Sequence, residues 1–233
     1  MATTEKTYAD CVAGAEGCTY IRFDFPVVTE APPGTAVDAI TGVVQTFLLR
    51  PLREDAEPEG PARLMESFLE DFRAFREREP RSAQFWFLER KAFVLSNRPN
   101  VLSFSLKENA YLGGAHGITT FQFVNLDPRT GEPIPLERLL RDGALAELTA
   151  LAEARFREVR SLEPDVSLAA AGFAFPSGGF ELTPNFAIGA EGLTFYYNPY
   201  DIGAFALGPT EIVLGYDEIE DLLDPEFLSD PPP

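Results

Sequence analysis

The sequence has very few of the residues on which most catalytic and metal sites depend. Its 233 residues include one histidine, His116, and two cysteines, Cys11 and Cys18. A structural zinc site needs about four ligands, mostly cysteine or histidine, and these three residues cannot supply them. Around His116 there is no serine nucleophile motif, no second histidine and no glycine loop of the phosphate-binding type. The sequence therefore predicts no catalytic residue, no metal and no cofactor.

Basic residues are also scarce, because 19 lysines and arginines face 37 aspartates and glutamates and leave a net charge of −18. Such a charge repels nucleic acids and anionic lipid surfaces, so neither is an expected partner. It attracts basic proteins and speeds their encounter. The charge has a plainer interpretation too, which is to keep the protein dissolved, including in a salty habitat.

Long apolar runs are absent, and no stretch reaches the roughly 18 to 20 apolar residues that a membrane span needs. The first residues, MATTEKTYADC, lack the charged and apolar regions of a signal peptide. If the protein works outside the cytoplasm, a leader or lipoprotein anchor is missing from this chain.

The two cysteines bracket six small or polar residues, VAGAEG, in a loop that could bring the sulfurs together. A disulfide, two free thiols, and a metal or redox site are the alternatives, and the metal site is poorly supported. A disulfide would favour a secreted or periplasmic location.

Hydrophobic periodicity predicts an α+β fold with antiparallel sheets, helices packed on one face and two intertwined subdomains. We place an N-terminal α/β region at 1–100, an α+β domain at 101–225 and a fraying tail at 226–233. Within these regions we predict strands at 19–28, 102–111, 118–125, 180–183, 186–188, 193–197 and 211–214, and either one long bent strand or two short ones at 82–96. We predict helices at 37–48, 64–75, 136–140, 145–159 and 217–223. Pro26 indicates an edge position for the first strand, 51–61 is a connection, and 161–179 is either a long loop or a weak extra element.

The stretch Tyr111–Leu136, YLGGAHGITTFQFVNLDPRTGEPIPL, has the strongest pattern in the chain. Gly113, Gly114 and Gly117 can adopt positive φ angles and permit a sharp link between two strands. His116 lies in this link, where it could fix the backbone by a hydrogen bond, contact a ligand or act as an acid or base.

YLGGAHG, the Phe-rich strand and N-L-D-x-x-T-G-E-x-I-x-L resemble a bacterial domain family of unknown function. That family includes the C-terminal domain of the lysozyme-sensing anti-sigma factor RsiV and the domain beside the catalytic domain of the peptidoglycan deacetylase PdaC. A second match is GLTFYYNPYDIGAFALGPTEIVLGY at Gly192–Tyr216. The resemblance covers roughly residues 105–225. It implies an extracytoplasmic protein, either periplasmic, secreted or lipoprotein-anchored.

Candidate ligand-binding residues lie in the glycine link and in the loop at 198–209. The loop holds Tyr200 and Phe205, which are suited either to core packing or to contact with a partner. The RsiV-type domain grips lysozyme through its loops, so the resemblance implies a similar use of this surface. The candidate residues are Tyr111, His116, Pro199, Tyr200, Asp201 and Phe205.

We therefore expect a non-enzymatic binding or sensing module of the cell envelope, which recognises a basic protein such as lysozyme or a cell-wall glycan. Alternatives are an accessory domain of a peptidoglycan-modifying enzyme and an unrecognised hydrolase that uses His116. The sequence leaves the oligomeric state open.

Overall fold

A computed structural model describes residues 1–52 and 60–228 and contains both helices and strands, as an α+β fold requires. The strands are β1 Ala2–Thr7, β2 Tyr20–Phe25, β3 Phe87–Arg98, β4 Val101–Tyr111, β5 Ile118–Leu126, β6 Phe186–Ile188, β7 Gly192–Tyr197 and β8 Thr210–Gly215. The α-helices are α1 Val37–Leu48, α2 Pro61–Arg78, α3 Leu136–Leu139, α4 Leu145–Val159, α5 Tyr216–Ile219 and α6 Pro225–Leu228. Short 3-10 turns occupy Phe205–Leu207 and Glu220–Leu222. The predicted fold class is confirmed.

Five strands form one sheet in the order β1-β2-β3-β4-β5. β2 pairs with β3 in parallel, from Tyr20 opposite Phe87 to Asp24 opposite Lys91. Parallel neighbours need a long crossover, and the segment with α1 and α2 supplies it. The prediction of antiparallel sheets is therefore wrong for this one pair.

The first predicted strand is not at an edge, because β1 pairs with β2 on the side away from β3. Pro26 lies just after β2 ends, so it blocks no hydrogen bond of the ladder. β1 itself, ATTEKT, was not predicted, because it has no alternating apolar residues that would indicate a strand.

The second sheet has the antiparallel order β6-β7-β8. One of its faces carries buried apolar side chains and packs with α4. That face includes Phe195 and Ile212, which lie opposite each other on β7 and β8. Leu148, Ala152 and Phe156 of α4 are fully buried, as their helical spacing predicts.

The described residues form two compact units, each assembled from separate segments of the chain. Unit 1 contains 1–31, 38–93 and 106–120, and unit 2 contains 32–37, 94–105 and 121–233, apart from the residues not described. Unit 1 buries the apolar stripe of α2, which is Leu64, Met65, Phe68, Leu69 and Phe72. It also buries the Arg90 guanidinium, which donates to Glu108 at 2.8 Å and to the carbonyl oxygens of Leu48 and Arg50.

Several predictions in the second half of the chain are corrected. Residues 180–183 form no strand, and 161–179 contains turns but neither helix nor strand. The predicted tail is folded as far as residue 228, because α6 forms there and Phe227 is buried. Residues 229–233, and most of the predicted connection at 51–61, lie outside the described residues.

Candidate binding site

The predicted ligand-binding residues fall into two groups. Tyr111 and His116 belong to unit 1, whereas the four residues from 199 to 205 belong to unit 2. The Tyr111 ring is half-buried and lies 6.1 Å from the ring of Phe85 and 6.3 Å from that of Phe87. It is therefore part of an aromatic cluster in unit 1.

The glycine link depends mainly on one of its three glycines. Gly113 has a φ of +81°, and a Cβ atom there would lie 2.6 Å from Nε1 of Trp86. Gly114 and Gly117 do not have positive φ angles, contrary to the prediction, so their backbone conformation does not require glycine. A Cβ at Gly117 would still lie 3.3 Å from the carbonyl oxygen of Ala110.

His116 is exposed in this link, and its Nδ1 lies 3.0 Å from the carbonyl oxygen of Gly117. This contact ties the ring to the backbone of the link.

The loop from 198 to 209 alternates buried and exposed residues. Pro199 is buried and Ile202 is 7% exposed, while Tyr200 between them is 58% exposed. Tyr200 has a φ of +77°, which is uncommon for a bulky residue. The Tyr200 ring lies 5.6 Å from the half-buried ring of Phe205. The structure thus brings together two of the predicted residues as an aromatic pair.

Hydrogen bonds hold this loop at both ends. At its start, the backbone N–H of Asn198 donates to the carboxylate of Asp201 at 2.7 Å. In its middle, the carbonyl oxygen of Ile202 accepts from the backbone N–H of Ala174 at 2.9 Å. Near its end, the Arg160 guanidinium donates to the carbonyl oxygen of Leu207 at 2.6 Å. The predicted residue Asp201 therefore shapes the loop.

Sequence reasoning missed three asparagines that join the exposed edge of β5 to this region. Asn185 accepts from the N–H of Phe123 at 2.8 Å and donates to the carbonyl oxygen of Phe121 at 2.9 Å. Asn198 accepts from the N–H of Phe121 at 2.7 Å and donates to the same carbonyl at 3.0 Å. We call Asn125, Asn185 and Asn198 the asparagine clasp. The amides of Asn185 and Asn198 satisfy the backbone of β5 as a neighbouring strand would, whereas Asn125 lies on β5 and binds the backbone of β6.

Asn125 is the buried member of the clasp, at 5% exposure. It accepts from the hydroxyl of Ser103 at 2.8 Å and from the N–H of Ile188 at 2.9 Å. It also donates to the carbonyl oxygen of Phe186 at 2.8 Å. Every polar atom of this side chain therefore has a partner, as a buried amide requires.

A groove of about 330 Å³ opens on the face of the second sheet that is turned away from α4. Three aromatic side chains line it: Tyr196 of β7, with Phe121 and Phe123 of β5. The Tyr196 ring lies edge-on to both phenylalanines, at 5.1 and 6.1 Å. Leu95, which is 38% exposed, adds apolar surface. The sequence shows the Phe and Tyr residues but not that they meet.

The polar groups of the groove are few. The polar side chains of the lining are Ser105, Thr194, Tyr196 and Glu211. Glu211 lies directly opposite Tyr196 in the β7–β8 pair, so both side chains lie on the same face of the sheet. Burial raises the pKa of Tyr196, and the negative charge of Glu211 raises it further.

Three further observations concern metal ligands, membrane spans and the cysteines. Within residues 1–52 and 60–228, no group of three or more His, Cys, Asp or Glu side chains is placed to hold a metal ion. No helix among these residues is long and apolar enough to cross a membrane. In unit 1, Cys11 and Cys18 form a disulfide, with their Cα atoms 5.7 Å apart.

Comparisons with known proteins place this chain among proteins of similar fold. Residues 137–217 match the model of a family described as protein of unknown function (DUF3298). No curated protein sequence matches the chain.

Two solved structures resemble nearly the whole chain. A DUF3298 family member from Bacteroides fragilis is 23% identical, with a TM-score of 0.66 over 96% of this chain and 92% of that one. A DUF3298 family protein from Pseudomonas aeruginosa is 20% identical, with a TM-score of 0.68 over 97% and 94% of the two chains. At such low sequence identities, the similarity shows a shared fold alone. Residues 137–217 thus match the DUF3298 family model, and the chain shares its fold with the two DUF3298 proteins.

Proposed function

We propose that this chain is a non-enzymatic binding module of the bacterial cell envelope, which recognises a basic protein such as lysozyme through the loop at 198–209. The observation that carries the proposal is Tyr200, an exposed aromatic residue held at a φ of +77°. A left-handed backbone costs a non-glycine residue about 1 to 2 kcal/mol. Residues in such conformations cluster at ligand-contacting sites, where the surrounding structure maintains them.

The anchoring of the loop supports this use. Asp201 and Arg160 hold its backbone by hydrogen bonds, and the side chain of Asn198 accepts from the N–H of Phe121 on β5. A partner that binds a preordered loop does not have to offset the entropy of ordering it. Aromatic side chains on rigid backbone are also the residues that most often dominate binding energy at protein interfaces.

The charge supports a basic partner. A net charge of −18 produces a field that steers cationic proteins towards this surface and slows the approach of anionic ones. The resemblance to the RsiV-type domain supports lysozyme as that partner. The Cys11–Cys18 disulfide supports an extracytoplasmic location, because such bonds persist in oxidising compartments.

The test is calorimetric titration of the full chain with hen lysozyme at low and at raised salt. We expect binding that weakens as salt rises, because screening reduces the attraction between exposed charges. Tyr200→Gly removes the ring and fits the backbone angle without strain. It should raise the dissociation constant at least about tenfold while the free energy of unfolding stays within about 1 kcal/mol.

Phe93→Ala is the matched control, since Phe93 is an aromatic residue of similar exposure, 40%, that lies outside the loop. It should leave lysozyme binding unchanged. No binding to lysozyme, or equal losses in the two variants, would contradict the proposal. Binding to a chitin oligosaccharide in place of lysozyme would favour the alternative of an accessory module for a cell-wall enzyme.

A further inference from the structure

We infer that the aromatic groove of unit 2 binds an arginine side chain of a basic partner, with Glu211 as its counter-ion and Phe121, Phe123 and Tyr196 as its aromatic surface. This inference deepens the proposed function, on which it rests for the kind of partner. It follows from the position of one carboxylate among the three aromatic residues that line the groove.

The register of the second sheet places the charge beside the rings. Tyr196 and Glu211 are directly opposite each other on β7 and β8, which puts their Cβ atoms about 5 Å apart. The Tyr196 ring in turn contacts Phe121 and Phe123 at centroid distances of 5.1 and 6.1 Å. A flat cation that lies on these rings is therefore within reach of the Glu211 carboxylate.

Glu211 has no cationic partner among residues 1–52 and 60–228. The arginine that reaches β8, Arg155, instead donates to the carbonyl oxygen of Val213 and to Glu218, at 2.9 and 2.6 Å. The carboxylate of Glu211 is thus available to an external cation, and the net charge of −18 attracts one.

The groove favours arginine over other occupants. A guanidinium is planar, stacks on aromatic faces and makes directed hydrogen bonds to a carboxylate, whereas an ammonium is a compact and strongly hydrated charge. Cation–π contact contributes about 0.5 to 2 kcal/mol, depending on how far the pair is desolvated. The hydroxyls of Ser105 and Thr194 can accept from the remaining N–H groups. A neutral sugar can stack on the rings and donate its hydroxyls to Glu211, but it leaves the charge of Glu211 without a counter-ion.

The test follows amide NMR signals of the full chain during titration with N-acetyl-arginine amide and, separately, with N-acetyl-citrulline amide. Citrulline has nearly the same shape but no charge. We expect saturable shifts at Leu95, Phe121, Thr194, Tyr196 and Glu211 with the arginine compound only. Glu211→Gln should weaken this binding at least about fivefold, because it removes the counter-ion and leaves the rings in place.

Two variants distinguish binding in the groove from attraction to the general negative charge of the surface. Glu220→Gln removes one exposed carboxylate of unit 2 outside the groove and should leave the titration unchanged. Phe123→Leu keeps an apolar side chain but removes an aromatic face, and it should weaken arginine binding about threefold or more. Equal shifts with citrulline, equal effects of Glu211→Gln and Glu220→Gln, or chitotriose binding in the groove without arginine binding would overturn the inference.

The same variants distinguish this inference from the proposed function. If lysozyme does not bind but the arginine compound still occupies the groove, the proposed partner is wrong and the groove assignment stands. The opposite result is that lysozyme binds with an affinity that Tyr200→Gly lowers and Glu211→Gln does not change. In that case the loop assignment stands and the groove assignment is wrong.

Discussion

At the scale of single residues, the turn after β5 is held by one buried carboxylate. Asp127 accepts from the guanidinium of Arg129 at 2.7 Å and from that of Arg138 at 3.4 Å. Hydrogen bonds from the Arg129 side chain hold the pKa of Asp127 well below its usual range. Gly131, with a φ of +73°, lets the turn close so that its N–H donates to the carbonyl oxygen of Asp127 at 2.7 Å. The sequence predicts this turn, but the second arginine comes from α3.

We predict that Asp127→Asn lowers the free energy of unfolding at pH 7 by about 1 to 3 kcal/mol, because it leaves Arg129 and Arg138 without their shared anion. A pKa lower in the folded than in the unfolded state stabilises the fold above the unfolded value of about 4, and this stabilisation is lost as pH falls. The difference between variant and parent should therefore shrink below about pH 4 in denaturant titrations.

Asp142→Asn, at an exposed aspartate in unit 2, is the control and should show little effect at any pH. A destabilisation by Asp127→Asn that is the same at pH 3 and pH 7 would show that charge is not the cause.

At the scale of elements, Asn185 and Asn198 of the asparagine clasp bind backbone N–H and carbonyl groups of β5 that a sixth strand would otherwise bind. The side chain of Asn185 joins both sheets, because it makes one bond to the backbone of Phe123, one to that of Phe121 and one to that of Tyr196. The clasp also keeps Phe121 and Phe123 in place as walls of the groove. The position of β5 beside the second sheet and the shape of the groove therefore depend on the same few asparagine side chains.

We predict that Asn185→Ala lowers the free energy of unfolding by about 2 to 4 kcal/mol, since three hydrogen bonds are lost at roughly 0.5 to 1.5 kcal/mol each. The N–H of Phe123 should then exchange with solvent at least about tenfold faster in a hydrogen-exchange measurement, because its acceptor is gone.

Asn97→Ala changes an exposed asparagine in unit 2 and serves as the control, with an expected effect within about 0.5 kcal/mol. Unchanged protection at Phe123 in Asn185→Ala would mean that the clasp does not hold this edge.

At the scale of the whole molecule, the acidic charge and the disulfide bear on where and how the protein works. The charge of −18 belongs to the chain as a whole, while the disulfide closes one short loop before β2. Cys18 at the end of that loop is 2% exposed. The bridge therefore ties the segment after β1 to a buried point in unit 1.

We predict that the double variant Cys11→Ser with Cys18→Ser loses roughly 2 to 3 kcal/mol of stability, as expected for a closed loop of this length. A reducing agent should destabilise the parent by a similar amount and leave the variant unchanged in thermal unfolding. Lysozyme binding should survive in the folded variant, because the binding loop belongs to the other unit. An equal response of both proteins to reductant would exclude the bridge as the cause.

The sequence by itself determined the α+β class, the amphipathic helix α2 and the Phe-rich strand β5. The reason is that the buried face of each element produces a periodic pattern of apolar residues in the local sequence. Leu64, Phe68 and Phe72 form such a pattern in α2. β1 was not predicted because its residues are mostly polar. The strand at 180–183 was predicted wrongly because the alternating apolar residues Phe180 and Leu182 pack against the core without pairing in a sheet.

Only the tertiary structure decided the parallel β2–β3 pair, the asparagine clasp and the groove. Asn125, Asn185 and Asn198 have the local sequence of turn residues, and their partners lie more than 60 positions away in several of these bonds. Likewise, strand register places Glu211 opposite Tyr196, and the ring of Tyr196 contacts that of Phe121 from the distant strand β5. Contacts between distant segments form because tertiary packing brings both segments together, so no local sequence pattern predicts them.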